Sequence, residues 1–576
     1  MGAGFRPFYG GDRYPCAMEK RAVEDLLGRI VLVGTVLTAL IISPYVAIDV
    51  FSAAKMATLL AFAAMGIGVL FVNRSVLLFA RHKTITSLVL AFCAWQFVVF
   101  FASSSNKLQQ LFGIYGRNTG LITYCGLAAA LLAAVFASNH RFLKRCWKAF
   151  FIAGGFSIGY GVMQVLQIDP LPWAYIYSRI SGFLGNPDFQ SSFVGLMSAA
   201  AVAQVLNNKY SLAKKSGLIV FSFTGLLVAY KSGSQQGPLV FMIGVAVVAF
   251  IFIRTKYSKY FSASYVGFLT VGFIAVVLGS LNKGPLAELL YRGSVAARGD
   301  YWRAALKMAR EHPVFGVGMD GYGDWYRRSR DSVAIERSGA NTLADAAHNV
   351  FLDISASGGI PFILIYLAIT GLVIVSLWKV VARAKTFDPY FASVAAVWIG
   401  YQAQSIVSIN QIGLAVWGWI LSGTIIGYEI HTREVVEDEK PAKVKKEKSI
   451  GDSKVSSNTK VSIAISLVVG LLLGTSPLIA SARFKATTES DTVEEVIAGA
   501  YIFPLSRDRM TLVGIVLRDN KVEVEALPIL LRASQEFPDS FETWEALASL
   551  TNATPAQVAD ANAQMKRLDP LNPNLK

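Results

Sequence analysis

The stretch Val350-Phe-Leu-Asp-Ile-Ser-Ala-Ser-Gly-Gly-Ile-Pro-Phe-Ile-Leu-Ile-Tyr-Leu-Ala-Ile-Thr-Gly-Leu-Val-Ile-Val-Ser-Leu377 carries one formal charge, on Asp353, in an otherwise apolar run. It exceeds the roughly 20 apolar residues that a helix needs to cross a bilayer. Comparable runs lie at 30–48, 55–72, 84–102, 119–137, 149–165, 191–206, 217–231, 238–253, 262–280, 390–408, 413–430 and 461–481. The sequence therefore predicts an all-α, polytopic membrane protein of about thirteen spans. Composition agrees: of 576 residues, 54% are hydrophobic and 16% charged, and the mean hydropathy is +0.47. A soluble globular chain is about a quarter charged, which excludes a single water-soluble domain and a disordered chain alike.

The formal net charge of +16 first raises the question of which side the cations occupy. Arg13, Lys20, Arg21 and Arg29 precede the first span. Arg74, Arg81 and Lys83 follow the second, and Arg141, Lys144, Arg145 and Lys148 the fourth. Lys209, Lys214 and Lys215 follow the sixth, Arg254 and Lys256 the eighth, Lys379 and Arg383 the tenth, and the Lys-rich 431–460 segment the twelfth. Every second loop is basic, so the positive-inside rule places the N-terminus in the cytoplasm and the C-terminus outside. Much of the charge is then topology and calls for no nucleic-acid partner. The first span lacks a small-x-small cleavage site and reads as an uncleaved anchor, with Met18 a possible alternative start. Cys16, Cys93, Cys125 and Cys146 show no metal-ligand spacing and leave no cysteine in an external loop.

The chain divides into a cytoplasmic segment 1–29, a membrane domain 30–430 with a large external loop at 281–349, and a disordered cytoplasmic loop 431–460. A last span at 461–481 and an external helical domain at 482–576 complete it. In that tail, 526–538, 541–550 and 555–568 read as helices. The order of large aromatic (Trp544), Leu547-Ala548 and a closing Asp569-Pro570 resembles one tetratricopeptide unit. One unit is too little for a free-standing solenoid, so the tail is expected to pack against something.

Chemistry is sought in the loops. His82, His140 and His431 read as solvated loop residues, and His312 as a helix C-terminal cap. His348, in Asp345-Ala-Ala-His-Asn349 at the lip of the tenth span, reads either as an interfacial polar residue or as a general base poised near neutral pH. The 281–349 loop is basic, which suggests an anionic ligand. Within it, the stretch 297–311 reads as a helix with Asp300 as its cap, with Trp302, Ala305, Leu306 and Ala309 on one stripe and Arg303, Lys307 and Arg310 on the other. Arg298 stands just before that helix, where it and backbone N–H groups could grip a phosphate. Arg179 and Arg117 occupy other external loops, and Arg303 is a fourth candidate cation. No metal-ligand spacing, P-loop or dinucleotide fingerprint is present, so neither metal nor cofactor is expected.

Taken in order, Arg179…Gly185-Asn186-Pro187, Ser232-x-Ser234, Arg298-x-x-x-Trp302, Pro313-x-Phe-Gly-x-Gly318 and His348-Asn349 resemble the O-antigen ligase and polymerase superfamily over roughly residues 30–430. The resemblance implies an inner-membrane glycosyltransferase of a bacterial envelope. Such an enzyme moves a glycan from an undecaprenyl-pyrophosphate carrier to an acceptor hydroxyl on a lipid, protein or polysaccharide, without metal. It further implies that Arg298 and Arg179 hold the pyrophosphate and that His348 activates the acceptor. Two positions depart from the family pattern: Asp188 replaces the second Asn of Asn-Pro-Asn, and Gln235 replaces the Arg of Ser-Arg. The alternative within the class is a polymerase joining lipid-linked repeats. A transporter, which would place ionisable residues near the membrane midplane, fits the nearly uncharged spans less well.

Overall fold

A computed structural model describes residues 13–74, 77, 79–171, 180–291, 293–438, 456–490 and 492–575; among them the chain is helical with no strand. The membrane portion begins with α1 (Arg13–Leu40), α2 (Ser52–Val72), α3 (Lys83–Ala102), α4 (Lys107–Phe112), α5 (Leu121–Ala137) and α6 (His140–Val165). It continues with α7 (Pro187–Val205), α8 (Leu212–Lys231), α9 (Gln236–Lys256) and α10 (Lys259–Ser280). The large loop holds α11 (Ala287–Leu290), α12 (Gly293–Glu311), α13 (Tyr322–Ser329) and α14 (Ser332–Ser338). There follow α15 (Val350–Arg383), α16 (Pro389–Ser405), α17 (Ile412–Asp438), α18 (Ser457–Gly474) and α19 (Ser476–Thr488). The tail comprises α20 (Val493–Ala500), α21 (Arg507–Asp519), α22 (Glu523–Glu536), α23 (Phe541–Ala548) and α24 (Pro555–Leu568).

Each expected apolar run falls on a helix. Among the described residues, 8 helices are long and apolar enough to cross a membrane by length and composition alone: α2, α3, α8, α9, α10, α15, α17 and α18. The others are short (α5, α16), start on charged turns (α1, α6), or are polar (α7). Helix α7 is polar because protein surrounds it: α6, α8, α9 and α16 all pack on it. Its Gln190 exchanges hydrogen bonds with Ser157 (3.0 Å each), and Gln204 donates to the Pro389 carbonyl (2.9 Å) and the Ser393 hydroxyl (3.1 Å). Satisfied polar side chains suit a helix that meets helices instead of lipid. Helix α10 is its opposite, burying only Ser262 and Gly279.

Several boundaries differ from the sequence reading: α17 continues to Asp438 and α18 starts at Ser457, so both ends of the expected disordered loop 431–460 are helical, and two apolar runs are cut short or divided. The first run does not continue to residue 48, because α1 stops at Leu40. The buried ammonium of Lys55 on α2 caps that end, donating to the carbonyls of Thr38 (3.3 Å), Ala39 (2.9 Å) and Ile41 (2.8 Å). A cation at a helix C-terminus offsets both the macrodipole and the unpaired carbonyls. The last run divides at Thr475, where Ser476-Pro477 starts α19. Ala480 and Phe484 of α19 already belong to the core of the tail. The three expected tail helices are present as α22, α23 and α24.

The decisive feature lies in α15. Pro361 has no N–H to give the Ser357 carbonyl, and Gly359 is non-helical at φ 74°, so the helix breaks and frees several backbone groups. The Pro313–Gly318 segment satisfies them. Val317 N donates to Ala356 O (2.8 Å), Gly318 N to Ser357 O (3.1 Å), and Ile360 N to Pro313 O (2.7 Å). The Trp95 indole covers Gly358 O (2.9 Å). Glycine is needed on both sides of this seam: a Cβ on Gly316 would lie 2.4 Å from Ala356 O, and one on Gly359 would lie 2.2 Å from Val314 O.

Loops that alternate along the chain gather at opposite ends of the bundle. At one end Arg141 and Arg145 pair with Asp25 (2.8 and 3.1 Å), and Arg383 pairs with Glu429 (2.9 Å). The 281–349 loop, the N-terminus of α7 and the tail share the other end. Gly359→Ala should destabilise the fold by about 2–3 kcal/mol through backbone strain and collision. Gly371→Ala, in the same helix with open space around it, should instead be neutral or stabilising by up to about 1 kcal/mol. Thermal unfolding in detergent compares the two.

Candidate active site

The residues between α14 and α15 form an irregular strap that ends on His348. Asn349 caps α15, its side-chain oxygen accepting from Phe351 N (3.0 Å) and Leu352 N (3.1 Å). Asp353, one turn in, accepts from Ala347 N (2.7 Å). Between these anchors His348 takes a left-handed backbone, φ 50°, a conformation uncommon for a side chain with a Cβ. Its ring lies 5.4 Å from that of Tyr301 on α12. Arg298, Arg117, Asp345 and Asp188 are the charges around it.

These charges come from four separate segments. Arg117 lies in the turn after α4. Its Nη1 donates to the Asp345 carbonyl (2.5 Å) and lies 3.5 Å from the Asp345 carboxylate. That turn is held by Asp320, which accepts from Ile114 N (2.7 Å) and the Thr119 hydroxyl (3.1 Å). Asp320 lies two residues beyond the segment that bridges the break in α15, so one seam fixes both His348 and Arg117. Arg298 donates through Nε to Val407 O (2.8 Å) and lies 3.5 Å from Asp188. Asp188 opens α7, where Asn186 caps the helix and Pro187 is its first residue; its other oxygen takes the Ser234 hydroxyl (2.5 Å). The Asn186-Pro187-Asp188 and Ser232-x-Ser234 motifs thus meet at one point, and both departures from the family pattern fall there.

Burial, and then the nearby Arg298 guanidinium, push the His348 imidazole down to about 4. This corrects the expectation of a base poised near pH 7. Around neutrality the ring is uncharged and able to accept a proton, while Arg298 and Arg117 oppose its protonation. Burial works against the charge of Arg117 too, but Asp345 and Asp320 outweigh it and hold its pKa above the ordinary arginine value. The Arg117 Nε is buried without a hydrogen-bond partner.

Other expectations need revision. Arg298 does not precede its helix, because α12 starts at Gly293. Its neighbouring N–H groups are inside the helix and cannot cradle an anion. For the same reason Asp300 is not a cap; it is a buried carboxylate bridging Arg303 (2.5 Å) and Arg337 (2.6 Å). The buried stripe of α12 is Ala304, Ala305, Met308 and Ala309, and Leu306 is exposed. Arg303 also pairs with Asp331 (2.6 Å), so two carboxylates already hold it. His312 does follow the end of α12 as expected, its N–H donating to Met308 O (2.8 Å), and its ring packs edge-on against Trp325 at 4.5 Å. Arg179 lies outside the described residues. The basic loop is not a free cationic patch, since the tail neutralises much of it. Arg327 pairs with Glu542 (3.2 Å) and Asp569 (3.2 Å), Arg330 with Asp569 (2.7 Å), and Arg328 with Asp539 (2.7 Å); Arg507 of the tail pairs with Asp324. The expected packing partner of the tail is therefore the loop itself. Among the described residues no three His, Cys, Asp or Glu side chains gather as a metal cradle.

Arg298, Arg117 and the uncharged His348 imidazole thus converge at one end of the helix bundle. Residues 220–367, from within α8 to just past the break in α15, match the family profile described as O-antigen ligase. The match contains Ser234, Arg298, Arg303 and His348, and excludes Arg117 and Asp188. A Haemophilus influenzae protein described as uncharacterized is 23% identical over 173 residues, which is 27% of this chain and 43% of that protein. The chain thus spans less than half the length of that curated relative.

The electrostatics give a direct test. With carbon-13-labelled histidine, the His348 ring should titrate near pH 4. Removing a positive neighbour favours the protonated ring, so Arg298→Ala should move that midpoint upward, toward the ordinary value of about 6.5. An unchanged midpoint would remove Arg298 from the environment of the ring.

Proposed function

We propose that this protein transfers a glycan from a polyprenyl-pyrophosphate carrier to an acceptor hydroxyl at the outer face of the bacterial cytoplasmic membrane, as an O-antigen ligase-like enzyme. The observation that carries this reading is the convergence of Arg298, Arg117 and neutral His348 at one end of the bundle, two of them inside the matched family segment. The opposite end gathers the loops rich in Lys and Arg, which favours a cytoplasmic N-terminus and an external site.

In this reading the pyrophosphate of the donor displaces Asp188 from its long 3.5 Å contact with Arg298 and bridges toward Arg117. The acceptor oxygen attacks the anomeric carbon, and the bond from that carbon to the phosphate oxygen breaks. The electron pair leaves with the polyprenyl pyrophosphate, and the hydroxyl proton passes to the His348 imidazole. Guanidiniums aimed at the leaving group stabilise the charge it gains, without need of a metal ion. The order of events follows from the charges. Until the donor is bound, Arg298 and Arg117 hold His348 deprotonated; the anion offsets them and makes the imidazole a stronger base. Donor binding thereby arms the group that activates the acceptor.

Purified full-length protein, given a polyprenyl-pyrophosphate-linked glycan and candidate acceptors in chelator, should yield one shifted product. A ladder of products would favour the polymerase alternative, and absence of product with every donor and acceptor would contradict glycan transfer. His348→Ala should lower the rate by about 10²–10⁴-fold while the protein still inserts and folds.

A further inference from the structure

We propose that Asp569, at the C-terminal end of the last tail helix, is a positioning residue for His348, acting through Arg327 and Arg330 on the strap that carries the histidine. The proposal rests on the glycan-transfer reading only for its catalytic consequence.

The strap from Ala340 to Ala347 has neither helix nor strand to support it; Asp353 holds its far end at Ala347 N (2.7 Å), and guanidinium groups hold its carbonyls before that. Arg330 donates to Ala340 O (2.7 Å) and Thr342 O (3.2 Å). Arg327 donates to Ala340 O (3.3 Å), and Arg117 takes over at Asp345 O (2.5 Å). The same nitrogens that reach Ala340 O, Nη1 of Arg327 and Nη2 of Arg330, also converge on a single oxygen, Asp569 Oδ2, at 3.2 and 2.7 Å, where Asn572 donates too (3.0 Å). The side chain of Asp569 is 0% exposed and that of Arg330 1%. Two guanidiniums held this close and this dry need a carboxylate between them. Arg327 has a second one in Glu542. Arg330 shows no other carboxylate partner among the described residues, so without Asp569 it would turn toward water and release the carbonyls of Ala340 and Thr342. A residue 239 positions from Arg330 in the chain thus sets the tension of the strap that ends on His348.

The groups that face the ring are Arg298 from α12, Asp188 from α7, Arg117 from the turn after α4 and Asp345 from the strap, with the Tyr301 ring alongside. Loosening the strap lets water reach the imidazole and separates it from the two cations. Both changes favour its protonated form.

The test compares full-length wild type, Asp569→Asn and Asp539→Asn in nanodiscs. Asp539→Asn serves as the docking control: it removes the pairs to Arg328 and Arg567 and touches nothing that holds Ala340 or Thr342. In Asp569→Asn, amide exchange over residues 339–347 should rise at least tenfold, and the His348 midpoint should move from near 4 upward by a unit or more. Asp539→Asn should change neither. If Asp569→Asn does not fold, Arg330→Lys decides: it keeps the charge beside Asp569 but lacks the second donor arm, and should raise exchange over the same residues. A folded Asp569→Asn with wild-type exchange and midpoint would overturn the proposal, as would an equal effect of Asp539→Asn. Because both readouts are independent of turnover, failure of wild-type protein to transfer glycan would contradict the functional reading and leave this one standing.

Discussion

Breaking a helix at the edge of a membrane frees carbonyl and amide groups that lipid cannot satisfy, each at a cost of several kcal/mol. In α15 the missing N–H of Pro361 and the left-handed turn at Gly359 create that problem. The Pro313–Gly318 segment answers it with three backbone hydrogen bonds. The answer has consequences beyond the seam. It locks the large loop to the span that follows it, places Asp320 where it holds the Arg117 turn, and sets the first turns of α15, which Asn349 caps beside His348. Cation and imidazole are registered to each other because both hang from one repair.

Charge is allotted just as closely. The loop is rich in arginine, yet Asp300, Asp331 and the tail residues Asp539, Glu542 and Asp569 take up Arg303, Arg327, Arg328, Arg330 and Arg337. Arg298 and Arg117 are the two that retain long, loosely made carboxylate contacts near His348. In the proposed function, such a site holds its cations ready for the donor pyrophosphate and its imidazole neutral until that anion arrives.

The long apolar helices were legible because hydrocarbon imposes a simple rule: every backbone group must be satisfied within a helix, so length and hydropathy suffice to find one. The rule fails where protein replaces lipid. Lys55 ends α1 early by capping it, and polar α7 survives because neighbouring helices satisfy its glutamines. The helical start at Gly293 was hidden by local signals. Gly299-Asp300 reads as a break followed by a cap, yet a glycine inside a helix costs only about 1 kcal/mol, and Asp300 is held by two arginines. His348 and Arg298 could be singled out from motif order, and Asp345 stands in the quoted stretch beside the histidine. The low pKa of His348 could not be read, since it comes from burial and from arginines brought in by other segments. The roles of Arg327 and Arg330 were equally hidden, because their shared carboxylate lies at the far end of the chain.

The central claim is that Arg298 and Arg117 together receive a pyrophosphate beside a neutral His348. Equilibrium binding of a polyprenyl pyrophosphate to the full-length protein in nanodiscs, at fixed ionic strength and in chelator, measures it directly. The account predicts that the Arg298→Ala/Arg117→Ala double variant binds at least tenfold more weakly than wild type, while His348→Ala binds the same lipid normally. Undiminished binding by the double variant would contradict it.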